Sequence, residues 1–217
     1  MTRQLWLHYA LNWKLDTIAG GIPVDPRLID AWQQANWRKQ AKLLPDDPKD
    51  ATEAAARTKE LVPVAEGEAG WTTFPRTRDG RLAIEGRQVK AAIKEASNIL
   101  RPMLPRTEKG SAIPWRARVA ERIFVVEKLL PFVPEKTEPD DMLERPIHVM
   151  TAQGPRDALK RTDVLIDVEI LATVRVLNDG MVTPDVLKTI LDYAVVNGLG
   201  ADRSQGMGTG DYVLRPI

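Results

Sequence analysis

Thr183-Pro184-Asp185-Val186-Leu187-Lys188-Thr189-Ile190-Leu191-Asp192-Tyr193-Ala194-Val195-Val196-Asn197-Gly198 is a helix with both ends marked in the sequence. Thr183 suits the N-cap, Pro184 suits the first helical position, where no N–H is needed, and Asp185 is favourable at the positive end of the helix dipole. Val186, Leu187, Ile190, Leu191, Ala194 and Val195 recur at helical spacing as one apolar stripe, and Asn197-Gly198 stops the helix. A glycine-rich loop follows, and alternation near Asp211 to Leu214 predicts a closing strand.

Working outward from this helix completes a plan. Upstream, Val164, Ile166, Val168, Ile170, Ala172, Val174 and Val176 alternate with Asp167, Glu169, Thr173 and Arg175, which predicts a long antiparallel strand over 164–177 with one wetter face. At the other end of the chain Leu5, Leu7, Tyr9, Leu11, Trp13 and Leu15 face one way, and Trp6, His8, Ala10, Asn12 and Lys14 the other. From about Gly86 to Leu100, Val89, Ala92, Ile93, Ala96 and Leu100 form an apolar helical stripe, with Arg87, Lys90, Lys94 and Arg101 together on the opposite side. Ile123-Phe124-Val125-Val126 and Ile147 to Met150 have strand character. The order is strand, helix, strand, strand, helix, strand: an α+β, ferredoxin-like (RRM-like) βαββαβ antiparallel sheet with its helices on one face.

The remaining segments read as insertions in a single domain over 1–217. Asp25-Pro26 starts a predicted helix to about Lys39, and the acidic, Pro- and Ala-rich stretch from Leu44 to Gly70 holds a short helix near Thr52 to Leu61, so 18–84 reads as a helical, acidic insertion. Residues 101–118 read as a second insertion. Pro102, Pro105, Gly110 and Pro114, interleaved with Arg106, Lys109, Arg116 and Arg118, predict a basic loop or projecting hairpin over 102–118. Residues 131–144 read as a Pro- and acid-rich connector, and Gly154 to Arg161 as a second basic turn.

Composition narrows the function. There is no cysteine and the histidines are His8 and His148, which excludes disulfides, cysteine zinc sites and thiol catalysis and argues against any metal or cofactor. No apolar run reaches the roughly 18 residues of a membrane span, and the first residues lack a leader pattern, so a cytoplasmic protein without membrane partners is expected. A net charge of +1 speaks against a uniformly basic surface and confines any nucleic-acid site to a patch. Basic residues cluster over 76–94 and 101–122, acidic ones over 46–68 and 135–144.

The loop from Gly198 to Gly210 holds five of the chain's 14 glycines. Backbone amides in such loops can cradle phosphates. It follows a helix and opens a strand, the reverse of the dinucleotide-binding order, and it lacks the Gly-Lys-Ser/Thr ending of a P-loop. A capped helix end with a bulged strand entry explains Gly198 and leaves the other four glycines poorly explained.

Gly198-Leu199-Gly200-Ala201-Asp202-Arg203-Ser204-Gln205-Gly206-Met207-Gly208 resembles the glycine-rich loop of RAMP proteins, the superfamily that supplies RNA-binding subunits to CRISPR complexes, with Met207 where an aromatic is common. Glu85-Gly86-Arg87-Gln88-Val89-Lys90-Ala91-Ala92-Ile93-Lys94 is similar to the loop and helix start that backbone subunits press against guide RNA, although Arg87-Gln88 replaces small hydroxyl residues and Ala91 a glycine. The two stretches cover about 25 residues. The resemblance implies that Gly200, Arg203, Ser204, Gly206 and Gly208 meet RNA phosphates or pack the loop beneath the guide, while Arg87, Lys90 and Lys94 line the same channel. Arg116 and Arg161, from the two basic loops, join them as RNA-binding candidates, and Trp115 between Lys109 and Arg116 is placed to act as a base-separating thumb unless that loop is only an insertion. The basic helix side has its own plain alternative, a solvated face kept for solubility.

The partners implied are guide or CRISPR RNA, with single-stranded DNA as the alternative nucleic acid, and other CRISPR-type subunits or copies of the chain. Two further functions stay open. A metal-independent endoribonuclease processing CRISPR RNA needs a general acid or base, for which His8 is a weak candidate and His148 a weaker one. A phage-encoded relative would bind nucleic acid alone or imitate a subunit.

Overall fold

The computed structural model describes residues 4–24, 71–105, 114–151 and 154–217, with 148–151 and 154–158 described by backbone alone. The expected helices at 26–39 and 52–61, and Arg106 and Lys109, lie outside the described residues. The described part is a mixed α+β protein with a large sheet and three α-helices. It divides into two compact units, one of residues 1–20, 74–141 and 164–217, the other of 21–73 and 142–163.

In the first unit β1 (Trp6–Ala19) pairs antiparallel with β8 (Gly154–Leu177) on one side and with β9 (Gly210–Pro216) on the other. Two short strands, β5 (Ile123–Val125) and β6 (Leu129–Val133), pair antiparallel with the far side of β8, and β4 (Ala83–Glu85) pairs with β6. The core forms because the period-2 apolar rows of β1 and β8 and the helical stripes face each other. Tyr9, Leu11, Trp13 and Leu15 meet Val168, Ile170, Ala172, Val174 and Val176, together with Val89, Ala92, Ile93 and Ala96 of α1 (Gly86–Ile99) and Val186, Leu187, Ile190, Leu191, Ala194 and Val195 of α3 (Pro184–Asn197). Thr183 caps α3 as its sequence predicts, its Oγ1 accepting from the Val186 N–H at 3.3 Å. On the opposite sheet face Ala10, Lys14, Leu171, Arg175, Val213 and Arg215 are exposed.

The long strand departs from simple alternation at one level. Ile166, expected in the inward row, is 41% exposed, while Leu165 is fully buried. Asp167 adopts a left-handed φ of 49°, the Asp16–Asp167 step is missing from the ladder, and burial on β1 likewise jumps from Leu15 to Ile18. Both strands slip phase at the same level, so the register continues unshifted to Ala19 and Val164.

Three sequence expectations are corrected here. The end of the 102–118 stretch is regular: α2 (Trp115–Arg122) begins after Pro114, with Trp115, Arg118 and Val119 buried. Trp115 is a core residue at 6% exposure, stacked by the Arg118 guanidinium 5.4 Å away, so it is not available to part bases. The 131–144 connector holds the end of β6 and the start of β7 (Asp141–Thr151); Leu130 and Phe132 are buried on either side of Pro131, whose ring obscures a two-residue period. Gly154 to Arg161 is strand, the opening of β8.

In the second unit β2 (Ile22–Pro23) pairs with β3 (Trp71–Thr73), β3 runs parallel to β8 at Arg161 and Thr162, and β7 pairs with β8. Within the expected 18–84 insertion, the described residues on either side of 25–70 thus include the short strands β2 and β3. Asp163 is buried there, accepting from Trp71 Nε1–H at 2.6 Å and Thr73 Oγ1–H at 2.5 Å.

Candidate nucleic-acid interface

The apolar stripe of α1 fixes the helix on the core and so presents two flanks. Arg87, Lys90 and Lys94 lie on one. Arg87 is exposed and its guanidinium touches the Glu85 carboxylate at 2.5 Å. Lys90 places its ammonium 4.1 Å from the centre of the Phe124 ring on β5, a cation–π contact. Partial burial, and then the neighbouring charge of Lys94, hold the Lys90 ammonium below the usual lysine range. Among the described residues neither Lys90 nor Lys94 has a carboxylate at ion-pair distance.

Beside this flank Phe124 stands on the exposed sheet face. Cross-strand register sets Phe124 opposite Arg175, and Arg175 opposite His8, so the three form a row across β5, β8 and β1. Trp6 meets the Phe124 ring edge to face, centroids 5.6 Å apart. Phe124 is a residue the sequence reading missed. Its signal was the period of Ile123-Phe124-Val125, which turns Phe124 away from the core, on the same outward side as Trp6 of β1.

The other flank of α1 faces the glycine-rich loop. Arg203 Nη1 donates to Glu95 Oε2 at 2.8 Å, and a cleft of about 130 Å³ between them is lined by Gln88, Ala91, Gly198 and Gly200. Thus the structure brings Arg203 and Gly200 against α1, but on the side away from Lys90 and Lys94. The hydrogen bond from Arg203, with smaller contributions from its charge and that of Arg116, holds the Glu95 carboxyl below the usual glutamate range. Arg116, exposed on α2, therefore belongs with Arg203 around Glu95. Arg161 sits in the second unit, ion-paired with Glu144 at 2.7 Å.

Packing accounts for most of the loop's glycines. A Cβ on Gly208, at φ 78°, would lie 1.8 Å from the Leu199 carbonyl oxygen, and one on Gly200 would lie 2.8 Å from that of Ala19. The Gly208 N–H donates to Thr17 O at 2.7 Å and the Gly206 N–H to Arg203 O at 2.9 Å, so both amides are engaged within the fold. Ser204 and Gly206 form the exposed tip. His8 is half-buried on β1, and the side chain of His148 is outside the described residues. Among the described residues no cluster of three metal-ligating side chains occurs, and no helix is long and apolar enough to cross a membrane.

No protein-family model matches the sequence, and none of the curated proteins does. Among solved structures, the chain is similar to a chain in the cryo-EM structure of the Type III-B Cmr-beta bound to cognate target RNA, with a TM-score of 0.42 and 12% identity over 96% of this chain. It spans 59% of the length of that neighbour.

Proposed function

We propose that the chain is an RNA-binding subunit of a CRISPR-type ribonucleoprotein, built on a ferredoxin-like plan and contacting RNA through the basic flank of α1. The fold is supported by the strand order β9–β1–β8 followed by β5 and β6, with α1 and α3 as the crossovers. The observation that carries the binding role is the Lys90–Lys94 pair. Two ammonium groups one helical turn apart repel each other, and among the described residues no carboxylate lies at ion-pair distance from either, which leaves a site that a phosphate would complete. Arg87, partly neutralised by Glu85, extends the row. Arg203 and Arg116 act at the loop side, where Ser204 and Gly206 present the exposed tip to the same strand.

The test is RNA affinity of Lys90→Ala and Lys94→Ala, read by fluorescence anisotropy at about 50 and about 200 mM salt. Each variant is expected to weaken binding and to reduce the slope of log affinity against log salt by roughly one. Wild-type affinity and slope in both variants would remove α1 from the interface.

A further inference from the structure

Between the first turns of α1 and the strand β5 lies a cleft of about 420 Å³, within the range of small-ligand sites. Its residues divide by chemistry. Phe124 supplies a large aromatic surface, 38% exposed, held in orientation by its edge-to-face contact with Trp6. Arg87, Lys90 and exposed Lys128 supply cations. Glu85 and Glu127 are the acids; Glu85 is paired with Arg87, and Glu127 Oε2 accepts the Thr173 N–H at 2.9 Å.

We propose that this cleft takes one unpaired nucleotide of a single-stranded RNA, its base stacked on Phe124 and its phosphate held at the rim by Lys90 and Lys128. The proposal rests on the RNA-binding reading above and narrows it to an unpaired base. Three observations fix the orientation. Glu127, whose carboxylate lines the cleft without a cation at ion-pair distance among the described residues, disfavours a phosphate beside it, which assigns the phosphate to Lys90 and Lys128 and the Phe124 wall to the base. The exposed ring face is a surface that any base can stack on. The Lys90 ammonium lies over that ring, so a base that stacks there takes its place and the ammonium moves to the phosphate of the same nucleotide. Lys90 is thus a placeholder in the free protein and a phosphate ligand in the complex. A duplex, whose bases are stacked internally, cannot offer the ring a free face.

The experiment compares wild type, Phe124→Ala, Phe124→Trp and Lys90→Ala on a fluorescein-labelled single-stranded RNA of mixed sequence and on the same strand annealed to its complement. Phe124→Ala is expected to weaken single-strand binding about tenfold with its salt slope unchanged, because stacking releases no counterions. Duplex binding is expected to be equal in the two proteins, and Phe124→Trp to restore single-strand affinity. Phe124 is partly exposed, and circular dichroism of the variant verifies its fold. Wild-type binding by Phe124→Ala, with loss in Lys90→Ala, overturns the cleft proposal and leaves the α1 phosphate site standing. Failure of the wild-type protein to bind either RNA overturns both.

Discussion

Arg203 Nη1 lies 2.8 Å from Glu95 Oε2, and this ion pair ties the loop between α3 and β9 to the middle of α1. The Arg203 hydrogen bond is the main cause of the lowered Glu95 pKa. A carboxyl depressed in the folded state stabilises the fold above its unfolded pKa of about 4.3, and that contribution disappears as pH falls through the lower folded value. Both side chains are a third or more exposed, so the contribution is below about 1 kcal/mol. The thermal midpoint of the wild type is therefore expected to fall more steeply than that of Glu95→Gln as pH drops from about 5 to about 3. Parallel curves for the two proteins would show that the pair does not stabilise the loop.

The same loop offers a comparison of two glycines with the same backbone conformation. Gly206 and Gly208 have φ of 82° and 78°, but an added Cβ meets nothing within 4 Å at Gly206 and the Leu199 carbonyl oxygen at 1.8 Å at Gly208. Gly206→Ala is expected to cost about 1 to 2 kcal/mol, the penalty of a left-handed L-residue. Gly208→Ala adds an overlap with main chain that no rotamer relieves, for a loss above about 3 kcal/mol. Urea denaturation of both variants checks this, and equal losses would mean that the Leu199–Gly208 contact yields easily.

How much of this was legible in the sequence depended on how local the deciding forces were. Thr183, Pro184 and the 186–195 stripe report α3 because caps and helical period are local properties, and the Val89-to-Ala96 stripe of α1 is the same kind of signal. The regular part of β1 is equally plain. The slip at Asp16 and Asp167 was not, since β8 alone continues to alternate through Ile166 and Val164 and only its pairing with β1 shows that both strands change phase together. Pro131 hid β6 because proline argues against a strand unless its missing N–H falls where the ladder tolerates it. The sequence shows that the loop is rich in glycine but not why. Gly200 and Gly208 are required by close main-chain approach, which no local pattern reveals. Of the candidate site residues, Arg87, Lys90 and Lys94 do share one flank, as their spacing requires. Phe124 escaped notice within a four-residue apolar run.

Asp163 provides the last prediction, within the second unit. It is 3% exposed, and its two carboxylate oxygens accept separately from the Trp71 indole N–H and the Thr73 hydroxyl, which fastens β3 to the opening part of β8 through side chains as well as main chain. Asp163→Ala removes both acceptors and strands an indole donor, a loss expected at about 2 to 4 kcal/mol because unmade bonds of partly buried donors cost about 1 to 3 kcal/mol each. Asp163→Asn preserves shape and one acceptor oxygen, so its loss should be roughly half as large. Hydrogen exchange followed by mass spectrometry localises the effect: peptides covering Trp71 to Thr73 are expected to lose protection while those of α1 keep theirs, since local opening follows the elements whose contacts were removed. Unchanged protection of β3 in Asp163→Ala would show that main-chain pairing with Arg161 and Thr162 holds the strand without the carboxylate.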